Sequence, residues 1–214
     1  MAINPNPQHE NRHAMAAGCS GSGKSQAIGQ KLLPSGYGNR VLLWDPDEDH
    51  RATRFEGRAA YARAVRNALA SGKGFRLAWS GRVDLPTFEW WCRVVWAALD
   101  GNKTTYVGIE ELADVSPSAG KASPAFGELL RKGRKYGAVL IMGTQRGAEV
   151  SKTCWTQVKQ KWVGQQEAGD VRKMAREAGV SESDINDLAP LEFWVKPAGA
   201  GEPEKVKLKY RKIA

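Results

Sequence analysis

Eight consecutive residues, Gly18-Cys19-Ser20-Gly21-Ser22-Gly23-Lys24-Ser25, constrain this chain more than the rest of it together. They follow a short run of small apolar residues and open a predicted helix. The run matches Gly-x-x-x-x-Gly-Lys-Ser, a loop whose backbone N–H groups and following helix N-terminus wrap nucleotide phosphates. In that pattern Lys24 reaches the β and γ oxygens and Ser25 holds Mg²⁺. ATP and Mg²⁺ are the ligands this predicts, and the rest of the chain must supply what such a loop needs to hydrolyse ATP.

A length of 214 residues suits one α/β domain with a sizeable core and falls short of two. Residues 1–12, polar and rich in Asn, Pro and Gln, read as an N-terminal arm, and residues 13–214 as a single P-loop ATPase domain. The formal net charge of +9 and pI near 9.6 favour an anionic partner: nucleic acid, a membrane surface or the nucleotide alone. No apolar run approaches the roughly 20 residues of a bilayer crossing, and the start lacks the charged-then-apolar pattern of an export signal. The chain is therefore expected to stay inside the cell that makes it. Cys19, Cys92 and Cys154 lie far apart, which supports neither a disulfide framework nor a zinc site. Cys19 precedes a helix start, where a thiol pKa can fall; the plainer reading is a small side chain at a variable loop position.

Strands and helices alternate in the hydropathy pattern. Residues 13–17 become the first strand by their position before the glycine-rich loop, and the helix from Lys24 should end near Leu33, ahead of Pro34. Strands are predicted at 40–44, 75–79, 104–109 and 138–142, and a brief one at 161–163. Helices are predicted at 57–70, 86–99, from Ser123-Pro124 to Gly137, around 150–155, at 167–178 and at 181–188. Residues 47–56 read as loop. The 86–99 helix is broadly apolar, which suits core or subunit contact better than an aromatic nucleotide platform. Ser123 is the predicted side-chain cap of its helix, and Ser181 with Asp184 resembles a capping box. Residues 191–214 read as a terminal β-hairpin with a basic tail. The sum is an α/β fold with a mostly parallel central sheet covered by helices on both faces.

ATP hydrolysis also requires an oriented water and positive charge for the transferred group. Carboxylates at the tip of a strand beside the loop would serve the metal and the water, and Glu110 and Glu111 follow Tyr106-Val107-Gly108-Ile109. Glu110 would accept from Mg²⁺-bound water or Ser25, and Glu111 would act as general base. Gln145, at the tip of the next strand, would sense the γ-phosphate and move the loop bearing Arg146. An arginine inserted into a neighbouring subunit would complete charge stabilisation, with Arg134 the first choice and Arg131 the second.

These residues resemble a known group. Gly18 to Ser25, Leu42-Leu43-Trp44-Asp45-Pro46, Ile109-Glu110-Glu111, and Arg131-Lys132-Gly133-Arg134-Lys135-Tyr136-Gly137 with Gly143-Thr144-Gln145-Arg146 are similar to the FtsK/HerA superfamily of DNA-pumping ATPases. Among these the chain looks most like the genome-packaging ATPases of membrane-containing icosahedral viruses and phages. The resemblance spans about residues 13–146. It implies a P-loop NTPase of the RecA-like/ASCE type and a ring, commonly hexameric, with double-stranded DNA through its centre and ATP at subunit boundaries. Gln145 would be the γ-phosphate sensor, and Arg131 or Arg134 would be supplied across the boundary. Arg146, Lys152, Lys159 and Lys161 become candidate DNA contacts, with ordinary solvated side chains as the alternative. Partners would include a capsid vertex or portal and a viral membrane protein, and the location would be the infected host's cytoplasm or the packaging vertex. Two departures from the family pattern stand out: Glu110 replaces an aspartate, and Gly147 replaces a proline after Gln-Arg.

The reading is an ATP-driven double-stranded DNA translocase that fills a viral capsid. The alternatives are a filamentous-phage assembly or export ATPase, a nucleotide or small-molecule kinase, and a non-catalytic basic DNA-binding subunit.

Overall fold

The computed structural model describes residues 2–212. Met1 of the expected arm, and Ile213 and Ala214 of the expected tail, lie outside the described residues.

Short apolar runs form the central strands and more polar ones the edges: β1 (Ala14–Ala17), β2 (Arg40–Trp44), β3 (Thr53–Phe55), β4 (Phe75–Trp79), β5 (Thr105–Ile109), β6 (Ala138–Thr144), β7 (Gln160–Val163), β8 (Glu192–Pro197) and β9 (Glu204–Lys207). They join in one nine-stranded sheet, in the order β3-β4-β2-β5-β6-β1-β7-β8-β9. Pairing is parallel from β3 through β7 and antiparallel from β7 to β9. The mostly parallel sheet and the terminal hairpin are as the sequence predicts. β3 is not predicted: at three residues on the sheet edge, amid charges, it is too short to show a period of two.

β6 lies between β1 and β5. The strand bearing Glu110 and Glu111 is therefore not beside the phosphate-loop strand, as expected, but one strand removed. The intervening strand ends in Thr144, with Gln145 directly after it.

Alternation along the strands sends side chains to two cores. Leu42, Trp44, Leu77, Trp79, Val107 and Ile109 face a core covered by α2 (Arg58–Ala70), α3 (Leu85–Ala98), α4 (Pro124–Lys132), α5 (Lys152–Gln157), α6 (Val171–Ala178) and α7 (Glu182–Asn186). Val41, Leu43, Val139 and Ile141 face the other, covered by α1 (Lys24–Ala27), the turns after it and Leu208. Both faces are covered, but unequally. The first helix is α-helical only to Ala27; residues Ile28–Leu32 form π-helical turns, closed by Leu33 N–H donating to Ile28 O at 2.8 Å.

The apolar stripe of α3 is core. Phe88 and Trp91 are fully buried and contact the Trp44 ring, and Trp91 Nε1 donates to the Tyr61 hydroxyl at 2.9 Å. Each such side chain contributes about 1.5–3 kcal/mol by leaving water. The cap of α4 differs from expectation. Ser123 makes no side-chain cap; Glu89 of α3 accepts the N–H groups of Ala125 and Phe126, and the Ser123 hydroxyl donates to it at 2.6 Å. A carboxylate meets the positive end of the helix more strongly than a hydroxyl would. The capping box of Ser181 and Asp184 is present.

Candidate functional site

At the carboxyl end of β1 the chain turns into residues 18–25. Gly18 N–H donates to Thr144 O at 3.1 Å and Cys19 N–H to Gln165 O at 2.7 Å, which pins the loop between the ends of β6 and β7. Gly21 and Gly23 have φ of 77° and 96°, the left-handed region that lets successive N–H groups turn inward. Leu191 clamps the loop from outside: its N–H donates to Ser22 O at 2.9 Å, and its Cδ2 lies 2.6 Å from where a Cβ on Gly23 would sit. The Ser22 hydroxyl is buried with no hydrogen-bond partner, and Lys24, 8% exposed, forms no ion pair among the described residues. A buried orphan hydroxyl, left-handed glycines of the kind that form anion nests and an uncompensated ammonium together fit a polyphosphate.

The half of the site expected to hold a metal departs from expectation. Ser25 Oγ donates to Asp49 Oδ2 at 2.6 Å, not to Glu110. Asp49 is held by the turn after β2, in which Asp45 accepts Asp49 N–H at 2.9 Å and His50 N–H at 3.1 Å. Arg54 locks that turn by an ion pair to Asp45 at 2.9 Å and a hydrogen bond to His50 O. Mg²⁺ takes few carboxylates and shares its shell with phosphate oxygens and water, so Ser25 and Asp49 fit it as a pair.

Glu110 is engaged elsewhere. Its Oε1 meets His50 Nε2 at 2.6 Å, and Oε2 lies 2.7 Å from where a Cβ on Gly143 would sit. Burial pushes the Glu110 carboxyl up, partly offset by His50. Burial pulls the His50 imidazole down, but the hydrogen bond and charge of Glu110, with Asp45 and Asp49 behind it, outweigh burial and leave it above its ordinary value.

Glu111 sits in the left-handed region, with φ 46° and ψ 57°, where a non-glycine residue carries about 1–2 kcal/mol of strain. That turn aims its carboxylate at the tip of β6, where Oε1 accepts Gln145 N–H at 2.7 Å. Glu111 and Gln145, with Lys24, thus stand at the carboxyl ends of β5, β6 and β1, on one edge of the sheet. Arg146 follows, exposed, 3.4 Å from Glu149.

The basic candidates lie apart from this edge. Arg134 Nη1 donates to Pro7 O at 3.2 Å and also to His9 O, which ties down the N-terminal arm within the same chain. Arg131 is exposed in the last turn of α4. Lys152, Lys159 and Lys161 line one cleft at the amino-terminal end of β7, and Arg146 is not among the residues lining it. Asp49, His50, Arg54 and Leu191 were missed by the sequence reading. Asp45 carried a signal as the polar end of β2, but the charged residues 47–56 show no period, and Leu191 reaches the loop only through the β8 fold-back.

No family model matches the sequence. Protein P9 of Pseudoalteromonas phage PM2 is 35% identical over 212 residues, which cover 96% of this chain and 94% of that protein. The genome packaging NTPase B204 from Sulfolobus turreted icosahedral virus 2, in complex with AMPPCP, superposes with a TM-score of 0.75 at 17% identity over 94% of this chain and 99% of its own. The bacterial conjugative coupling protein TrwBdeltaN70 gives a TM-score of 0.69 at 15% identity, over 95% and 86%. Among the described residues no helix is long and apolar enough to cross a membrane. Its fold is that of the genome packaging NTPase B204, and the chain belongs to the same family as Protein P9 of Pseudoalteromonas phage PM2.

Proposed function

We propose that this chain is an ATP-driven double-stranded DNA translocase that packages a viral genome into a preformed capsid. The observation that carries the ATPase part is the convergence of the phosphate loop, the Ser25–Asp49 pair and the Glu111–Gln145 link at one sheet edge. The likeness to B204, determined in complex with AMPPCP and with ATP-gammaS, supports it. The excess of basic residues favours a phosphate backbone as the partner.

The loop amides and Lys24 hold the β and γ oxygens, and Ser25 with Asp49 would hold Mg²⁺, which would supply positive charge against the phosphates. One oxygen of Glu111 is occupied by Gln145 N–H, leaving the other to take a proton from the attacking water. The Gln145 side chain donates toward the γ-phosphate. Glu110, tied to His50, fixes the turn that carries Asp49. A ring, taken as hexameric, brings an arginine from the neighbouring subunit. Arg131 is the proposed donor ahead of Arg134, because Arg134 is engaged by its own arm.

Phosphate release by the purified chain, with and without long duplex DNA, tests the reading. DNA-stimulated release that is lost in both Lys24→Ala and Glu111→Gln is expected. Release unaffected by DNA in the wild-type chain overturns the translocase, and release undiminished in Glu111→Gln moves the base elsewhere.

A further inference from the structure

We propose that the cleft between α5, the end of α6 and the β8–β9 turn seats the phosphate backbone of duplex DNA. This rests on the translocase reading above and locates its DNA contact.

The cleft encloses about 390 Å³ and is lined by Lys152, Lys159, Lys161, Arg176 and Lys196, with Glu177 as the carboxylate. Glu177 pairs with Lys161 at 2.5 Å, and Lys196 donates to Gly201 O. Lys152, Lys159 and Arg176 are exposed and form no ion pair among the described residues. Their charges are thus available to an anion that enters from solvent.

The walls are held by regular structure. Ala198 N–H donates to Lys159 O at 2.7 Å, and Lys159 N–H to His13 O at 2.8 Å, so the lysine is fixed between the hairpin and β1. Cations spread along an open cleft suit a polyanion better than a single small ion. Trp155, beneath the cleft, is 2% exposed and offers no face for base stacking, which disfavours single strands and favours a backbone contact indifferent to sequence. The exposed large apolar side chains among the described residues are Ile3, Tyr37, Val83 and Tyr210, none of them on the cleft, so a membrane would find nothing to insert.

The cleft lies at the amino-terminal end of β7, whereas the phosphate loop lies at the carboxyl end of its neighbour β1. Just past the far end of β7, Gly164 N–H donates to Ala17 O at 2.8 Å and Gln165 O accepts Cys19 N–H. One short strand therefore joins the proposed DNA seat to the nucleotide loop.

Binding of a fluorescent mixed-sequence duplex across a salt series tests the site, comparing wild type with Lys159→Ala/Arg176→Ala. The double variant should lower the slope of log affinity against log salt by about 2 in magnitude, uniformly across sequences. Its binding of an ATP analogue and its melting temperature should be unchanged, since both side chains are exposed. An unaltered slope and affinity overturns the cleft while leaving the translocase reading standing. Variant effects confined to phosphatidylserine vesicles overturn it in favour of a membrane contact. A wild-type chain that binds no duplex overturns the DNA reading and this site with it.

Discussion

Gln145 N–H donates to Glu111 Oε1 across 2.7 Å, joining the tips of two neighbouring strands at the face where residues 18–25 turn. The bond uses the Gln145 backbone, so its side chain is free for another role. It also needs Glu111 in a left-handed conformation that ordinary residues avoid, and such strain persists where the surroundings hold it for a purpose.

Gln145→Ala should keep Glu111 in place, because the backbone donor remains. Nucleotide affinity is expected to stay near wild type while turnover falls by about 10²–10³, the usual cost of losing one donor to developing charge. Single-turnover phosphate release beside equilibrium nucleotide binding checks this; parallel losses of both would assign the side chain to ground-state binding.

Gly23→Ala places a methyl in the left-handed region and against Leu191 Cδ2. The expected cost is about 1–3 kcal/mol of stability, with loss of nucleotide affinity. Adding Leu191→Ala should recover part of the stability, since it removes the clash and leaves the φ penalty. Thermal melts of both variants decide it.

His13 is buried and accepts Leu140 N–H at Nδ1, 3.1 Å away. Burial first, and the nearby Arg134 charge second, pull its pKa from 6.5 down to about 4. The unfolded chain then takes up this proton before the folded one, so stability should fall as pH drops from 6.5 towards 4, by about 3 kcal/mol in all. His50 has the opposite sign. Its folded pKa is raised, so its contribution is present below pH 6.5 and lost as pH rises through the folded value. Denaturation across pH should show the acid slope flattened in His13→Asn and the neutral-to-alkaline slope flattened in His50→Gln.

Arg131→Ala and Arg134→Ala should separate. The first is expected to leave the monomer's stability unchanged and to abolish the turnover that depends on assembly. The second should loosen the arm, lowering the melting temperature, because Pro7 O and His9 O lose their donor. Equal turnover of assembled Arg131→Ala and wild type would remove Arg131 from the neighbour's site.

The local chemistry was legible in the chain alone. Residues 18–25 specify their own conformation through Gly21 and Gly23, whose left-handed φ values few other residues accept. Uninterrupted apolar runs such as Leu140–Met142 announce strands buried on both faces. Ser181 and Asp184 form a cap from residues three apart. Each of these depends on interactions within a few residues, which a linear reading can follow.

What the tertiary structure decided are the partnerships between distant segments. The sequence offered Glu110 for Ser25, but the β2 turn brings Asp49 to Ser25 and leaves Glu110 to His50. The insertion of β6 between β1 and β5 depends on which strand edges pair, and nothing within β5 or β6 specifies that neighbour. Arg134 faces its own arm because residues 7–9 cross the amino-terminal edge of the sheet, a contact between segments more than a hundred residues apart. A side chain's type fixes which bonds it is able to make; the fold, by bringing particular groups within hydrogen-bond reach and out of water, fixes which of them it does make.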